Sequence, residues 1–185
     1  MKKLSLLALT LLITFFTFKP ANASVFLKYG KDSNGRLQYS GGNGGSYSRN
    51  DNNGQSIGIE LLDELNLDRP SELGYGIMYS SPRDLEDHEG RFSFVSAYLI
   101  ENIFLASGKT APYFSGQLGY TMWYGDTFFR NGDTLKGGIY YSFGIGYSFG
   151  NPRLEFSYMG AKGSKGDQEL IYSKSNIKLL VILIM

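Results

Sequence analysis

The chain has no cysteine, one histidine, one tryptophan and five prolines in 185 residues. Without cysteine there is no disulfide framework, no thiolate metal site and no cysteine nucleophile. A lone histidine leaves imidazole chemistry one place to sit. Charge of one sign is also lacking. Eighteen Lys+Arg against seventeen Asp+Glu give a formal +1, which lends no support to nucleic-acid binding. Helical periodicity is nearly absent, and the chain after Phe18 holds no apolar run long enough for a membrane-spanning helix. What it has instead is glycine, 24 residues, with 14 tyrosines and 13 phenylalanines. The glycines follow no G-X-Y period, which excludes a collagen helix. A hydrophobic content of 42% is too rich for a disordered chain.

The amino terminus is compositionally foreign to the rest. Lys2 and Lys3 form a basic start. Leu4 to Phe18 is apolar apart from Ser5, Thr10, Thr14 and Thr17. Pro20 breaks the pattern, and Ala21-Asn22-Ala23 is an A-x-A site before Ser24. These are the three parts of a secretory signal peptide, and the apolar run is short for a membrane anchor. The expected organisation is a cleaved signal peptide over 1–23 and one domain over 24–185. Cleavage removes Lys2, Lys3 and Lys19 and no acid. The mature 162 residues then carry 15 basic and 17 acidic groups, a net −2.

The mature chain reads in twos. Ile139, Tyr141, Phe143, Ile145, Tyr147 and Phe149 alternate with Tyr140, Ser142, Gly144, Gly146 and Ser148. A strand sends successive side chains to opposite faces, so one face meets an apolar phase and the other a narrow polar space. The pattern recurs in Val25 to Tyr29, Ile57 to Leu61, Leu73 to Tyr79, Phe114 to Met122 and Leu154 to Tyr158. Phe92 to Ile103 is less regular, because Val95, Ala97 and Leu99 share a face with Arg91, Ser93 and Glu101. With a last candidate at Ser175 to Met185 the count is eight. Long polar connections (Ser33 to Gly54, Ser81 to Gly90, Trp123 to Lys136, Gly160 to Lys174) alternate with short ones (Asp63 to Ser71, Ala106 to Ala111, Gly150 to Pro152).

Long–short alternation with an even strand count is the layout of an outer-membrane barrel. Eight strands enclose too little room for the large aromatic set but enough for Gly, Ser and the polar set. The aromatic face is therefore expected outward, against lipid. Closure satisfies every backbone donor and acceptor within a bilayer. The fold class expected is all-β: an eight-stranded antiparallel up-and-down transmembrane β-barrel. The tyrosines and Trp123 are expected in aromatic girdles at the two interfaces.

Two strands carry a resemblance. Pro112-Tyr113-Phe114-Ser115-Gly116-Gln117-Leu118-Gly119-Tyr120 resembles the Pro-Tyr-x-x-Gly-x-x-Gly-Tyr strand of small outer-membrane β-barrel proteins, the OmpX-like, opacity-like and OmpA-barrel group. Phe143-Gly144-Ile145-Gly146-Tyr147-Ser148-Phe149 resembles their Gly-x-Gly-Tyr-x-Phe strand. The resemblance covers the mature chain in layout and implies a monomeric or weakly associating barrel displaying loops at the surface of a Gram-negative cell. One departure stands out. Members usually finish on an alternating strand with a terminal aromatic, read by the barrel assembly machinery, whereas this chain ends Leu179-Leu180-Val181-Ile182-Leu183-Ile184-Met185. Two explanations stay open: a divergent terminus that impairs assembly, or a last strand tucked under apolar interior residues such as Val95 and Leu99.

Six charges are assigned to the barrel interior: Lys28, Glu60, Arg91, Glu101, Arg153 and Glu155. An interior just wide enough for side chains favours a closed ion-pair plug over a conduit. No cofactor is expected. His88 lies in Asp84-Leu85-Glu86-Asp87-His88-Glu89, an acidic outer loop that is more simply solvated than a cation site. Ser40 to Gly54 reads as a mobile loop, its Asp51-x-Asn53 only faintly like a calcium loop. Gly125-Asp126-Thr127 and Gly132-Asp133-Thr134 read as turns. Lys162 and Lys165 offer weak attraction for lipid phosphates. The resemblance admits one enzymatic possibility, a lipid A deacylase, which uses a His-x-Ser pair near the outer end of a late strand. Here that end reads Tyr158-Met159-Gly160-Ala161, and neither Ser81 nor any other serine is placed beside His88, so no nucleophile–base pair forms. The expected protein is thus a non-enzymatic outer-membrane barrel, with a lipid A-modifying enzyme or a narrow porin-like channel as alternatives. Its partners would be outer-membrane lipid, lipopolysaccharide, the assembly machinery and an extracellular ligand of the loops, and no nucleic acid.

Overall fold

A computed structural model describes residues 23–40, 47–51, 54–63, 71–84, 91–108, 110–125, 135–166 and 168–184. The leader up to residue 22, His88 and the two Gly-Asp-Thr turns, apart from Gly125, lie outside the described residues. The described residues form ten strands in chain order: β1 (Ala23–Ser40), β2 (Tyr47–Asn50), β3 (Gln55–Asp63), β4 (Ser71–Asp84), β5 (Arg91–Phe104), β6 (Thr110–Gly125), β7 (Leu135–Lys136), β8 (Gly138–Phe149), β9 (Arg153–Lys165) and β10 (Gln168–Ile184). Eight of them form an antiparallel sheet in the order β10-β1-β3-β4-β5-β6-β8-β9, and β9 pairs β10 to close it. The chain is a closed eight-stranded antiparallel β-barrel. The short β2 and β7 add to β1 and β9 beyond the barrel proper. Closure leaves no barrel edge with unpaired backbone groups.

Alternation decides the two faces. In β8, Tyr140, Ser142 and Ser148 are buried, while Ile139, Phe143, Ile145, Tyr147 and Phe149 are exposed. β3, β6 and β9 obey the same rule. Among the described residues twenty-six large hydrophobic side chains are exposed on the outside. Flat rings inside the barrel lie across glycines of other strands. A Cβ on Gly76 would fall 2.8 Å from the Tyr98 ring, and one on Gly163 would fall 2.6 Å from Trp123 Nε1. Tyr113 covers Gly146 in the same way. These three glycines give interior rings a place to lie, in a space too narrow for ring and side chain together.

Several expectations need correction. The long connections are partly strand. β1 continues to Ser40 and β4 to Asp84, and the Gly160 to Lys174 stretch is a hairpin closing at Lys165 and Gln168, with Gly166 at φ 55°. Likewise Ser40 to Gly54 is not all loop, since β2 lies within it. Two bulges accompany the extensions, in β1 between Ser33 and Arg36 and in β4 between Ser80 and Arg83. A bulge adds a residue and re-aims the side chains beyond it. Ser80 and Arg83 are consequently both buried.

The carboxy-terminal strand starts at Gln168, pairs with β9 as far as Leu180, and pairs with β1 from Glu169 to Ile184. Alternation is retained, because Ile177, Leu179, Val181 and Leu183 are exposed while Lys178 and Leu180 are buried. Leu180 joins Phe26, Leu62 and Ile100 in the interior cluster, with Ile182 packed against it. Val95 and Leu99 take no part; both lie on the outer face of β5.

Candidate functional site

The interior is the chemically dense part of the molecule. Among the described residues five cations (Lys28, Arg83, Arg153, Lys174, Lys178) and five anions (Asp32, Asp51, Glu60, Glu72, Glu155) are buried. They fall into three layers along the barrel.

The layer nearest the short turns holds Glu72 and Arg153. Arg153 donates from Nη1 and Nη2 to the two Glu72 oxygens at 2.5 and 2.7 Å, and Asn102 adds a bond to Glu72 Oε2 at 3.3 Å. This two-pronged geometry is the strongest a guanidinium and a carboxylate can make. The guanidinium also lies 4.3 Å from the Phe26 ring centroid and 5.4 Å from that of Phe104, close enough for cation–π attraction.

In the middle, Lys28 pairs with Glu60 and donates to Tyr98 Oη at 3.0 Å, while that hydroxyl donates to Glu60 Oε1 at 2.8 Å. Lys178 donates to Glu155 Oε1 at 2.8 Å. Tyr140 donates to Gln117 Oε1 at 2.8 Å and Ser157 to Asn176 Oδ1 at 2.5 Å.

The layer at the loop end is an ion cluster roofed by rings. Arg83 pairs with Asp32, and its Nε stands 3.3 Å from Asp51 Oδ2. Lys174 reaches Asp32 Oδ2 at 2.7 Å, and Tyr172 donates to Asp51 Oδ2 at 2.6 Å. Phe92, Phe94, Trp123 and Tyr172 pack with ring centroids 5.2 to 6.3 Å apart. Asp51 arrives from beyond β2, tied back by its amide to the Gly35 carbonyl at 3.0 Å. The first loop thus puts a carboxylate into the barrel mouth.

Of the six charges assigned to the interior, Lys28, Glu60, Arg153 and Glu155 are buried there. Arg91 and Glu101 are exposed on the outer face of β5. The phase of β5 is opposite to the one expected, because both its faces are largely apolar. Phe92, Phe94, Tyr98, Ile100 and Phe104 point in, while Val95, Ala97, Leu99 and Ile103 point out. Arg91 instead meets Asp84 at 3.0 Å on the surface. Arg153 and Glu155 face different partners, Glu72 and Lys178, and do not pair with each other. Trp123 is also inside rather than in a girdle, 5% exposed, donating to the Lys162 carbonyl at 3.0 Å. The interior charges missed were Asp32, Asp51, Glu72, Arg83, Lys174 and Lys178. Lys174-x-Asn176-x-Lys178 was readable as polar alternation; Arg83 was not, since the bulge that re-aims it leaves no periodic trace.

A closed antiparallel barrel of eight strands, apolar outside and ion-paired inside, is the class these observations define. Solved structures share the architecture. Neisserial surface protein A aligns at 14% identity over 85% of this chain and 96% of its own, with a TM-score of 0.53. Ail, the attachment invasion locus protein of Yersinia pestis, aligns at 12% over 86% and 99%, with a TM-score of 0.50. The outer membrane protein AlkL, solved in lipid bilayers, aligns at 8% over 89% and 92%, with a TM-score of 0.51. At these identities the likeness is one of fold. No protein-family model and no curated sequence matches the chain.

Proposed function

We infer that the chain is an integral outer-membrane protein of a Gram-negative bacterium, exported by a signal peptide cleaved after Ala23. Its work is non-catalytic, in surface interaction or envelope integrity. The observation that carries the reading is the inversion of faces: among the described residues, 26 large hydrophobic side chains lie outside and ten acidic or basic side chains lie inside. A water-soluble barrel of this size would have the reverse. An exposed apolar surface of that extent needs a non-aqueous partner, and lipid around the whole circumference is the partner a closed barrel can have. The similar folds of Ail and AlkL, named for attachment and for the outer membrane, support that setting. Outer-membrane lipid and lipopolysaccharide would surround the wall, the assembly machinery would insert it, and an extracellular ligand would meet the loops.

The three ion-paired layers favour a scaffold over a narrow channel, since the groups that would line a conduit are paired with one another. Nothing in the Tyr158 to Ala161 strand end supports a deacylase. The test is fractionation of cells expressing the full chain. The protein should stay with outer membranes through carbonate washing, begin at Ser24, and migrate differently on gels before and after boiling. Recovery as a soluble periplasmic protein would overturn the reading.

A further inference from the structure

Glu101 is out of place. It is exposed on the outer face of β5 between Leu99 and Ile103, themselves exposed. Across the ladders it stands opposite Leu73 on β4 and Gly116 on β6. Phe114 and Leu118, its diagonal neighbours on β6, are exposed too. Among the described residues its outward neighbours on β4, β5 and β6 are apolar apart from Ser71, a diagonal neighbour on β4. Beside it Gly116 has no side chain between the exposed Phe114, Leu118 and Phe143, which leaves a gap in the apolar wall that is open to the outside.

If the outer face meets hydrocarbon, a carboxyl group there is costly and calls for a polar partner. Within a membrane, polar side chains hold spans together, and small residues let the backbones approach. We propose that the β5–β6 wall is a homodimer interface, in which Glu101 of each copy enters the Gly116 recess of the other across a two-fold axis along the barrel. The proposal rests on the membrane-spanning reading. A two-fold contact needs one patch that carries both the projection and the recess, and Glu101 and Gly116 are ladder partners. The axis keeps both at one depth. It also brings the two Glu101 side chains side by side, where a hydrogen bond between them replaces contact with hydrocarbon. Among the described residues the outward cations, Lys31, Arg36, Arg91, Lys136 and Lys162 among them, stand toward the loop end, away from Glu101, and offer such a pair no salt bridge. A lipid ammonium group is the rival occupant. To reach Glu101 it would have to pass Ile103 and Leu105, both outward-facing and below Glu101 on the same side of the wall.

The absence of cysteine makes single-cysteine cross-linking clean. L118C beside the recess and I59C on another part of the wall, each in the full chain in outer membranes, are oxidised with copper phenanthroline. L118C should give at least tenfold more disulfide dimer than I59C. E101L or G116L added to L118C should reduce it to the I59C level, and E101Q, which still hydrogen-bonds, should retain it. The boiled and unboiled gel shift shows that each variant is folded. Equal cross-linking of L118C and I59C, or full cross-linking in E101L, overturns the dimer. So does single-step photobleaching of labelled chains in vesicles, or loss of bound phosphatidylethanolamine in E101Q with no dimer in the parent. Carbonate-washed membranes separate the two failures: a monomer that stays in the membrane refutes the interface alone.

Discussion

Removing Arg153 should unfold the barrel far more readily than removing the whole pair. Glu72 is buried and takes two bonds from Arg153 and one from Asn102. In Arg153→Ala the carboxylate keeps only the Asn102 bond, and Phe26 and Phe104 lose the cation stacked between them. An uncompensated buried charge of this kind costs about 3–5 kcal/mol. The double change Arg153→Met with Glu72→Leu removes the charge problem while keeping most of the volume. It should lie within about 1 kcal/mol of the parent or be more stable. The assay is urea unfolding of the mature chain refolded in phospholipid vesicles, monitored by Trp123 fluorescence. With a slope of about 2 kcal/mol per molar, the single variant's midpoint should fall by roughly 1.5–2.5 M while the double variant's barely moves. A shift under about 0.5 M for Arg153→Ala, or a double variant less stable than the single one, would refute the reasoning.

Trp123 should emit as a buried indole, and brominated lipids should quench it weakly, because it packs against Phe92 and Phe94 inside the mouth; strong lipid quenching would return it to the outer wall. Gly146→Ala, which drives a methyl into the Tyr113 ring, should cost about 1–3 kcal/mol, whereas Gly116→Ala, facing open space, should stay within about 0.5 kcal/mol in dilute vesicles; equal urea midpoints would contradict this. In planar bilayers the parent should show no steady conductance, and discrete, reproducible channel steps would mean that the interior pairs open.

The strands whose two faces differ in kind were legible from residue order. β8 is the plainest case, with six large side chains alternating against Gly, Ser and one Tyr. β5 was not legible, because Phe92, Phe94 and Ile100 on one face are as apolar as Val95, Leu99 and Ile103 on the other. Period-two counting is silent when both phases are apolar, and only the ladder from Glu101 to Leu73 and Gly116 resolves it. The rule that large rings go outward failed for the same reason. The barrel mouth is wide enough for four rings, provided glycines such as Gly163 make room. Polar stretches were assigned to loops although strands run on through them, which hid Asp32, Arg83 and Lys174. Polarity beyond the apolar belt marks where the exterior stops being apolar, not where hydrogen bonding between strands stops.

The interior charges carry a consequence for the order in which the barrel is completed. β10 contributes Lys174 and Lys178, whose partners Asp32 and Glu155 lie on β1 and β9, the strands on either side of it. A sheet lacking β10 would enclose three cations and five anions from the buried set, a surplus of two negative charges. The carboxy-terminal strand supplies the two lysines that cancel it. It therefore acts as an electrostatic key for the seam: the strand that closes the sheet is the one that neutralises the lumen, and an unclosed barrel stays charged and hydrated inside until that strand is seated.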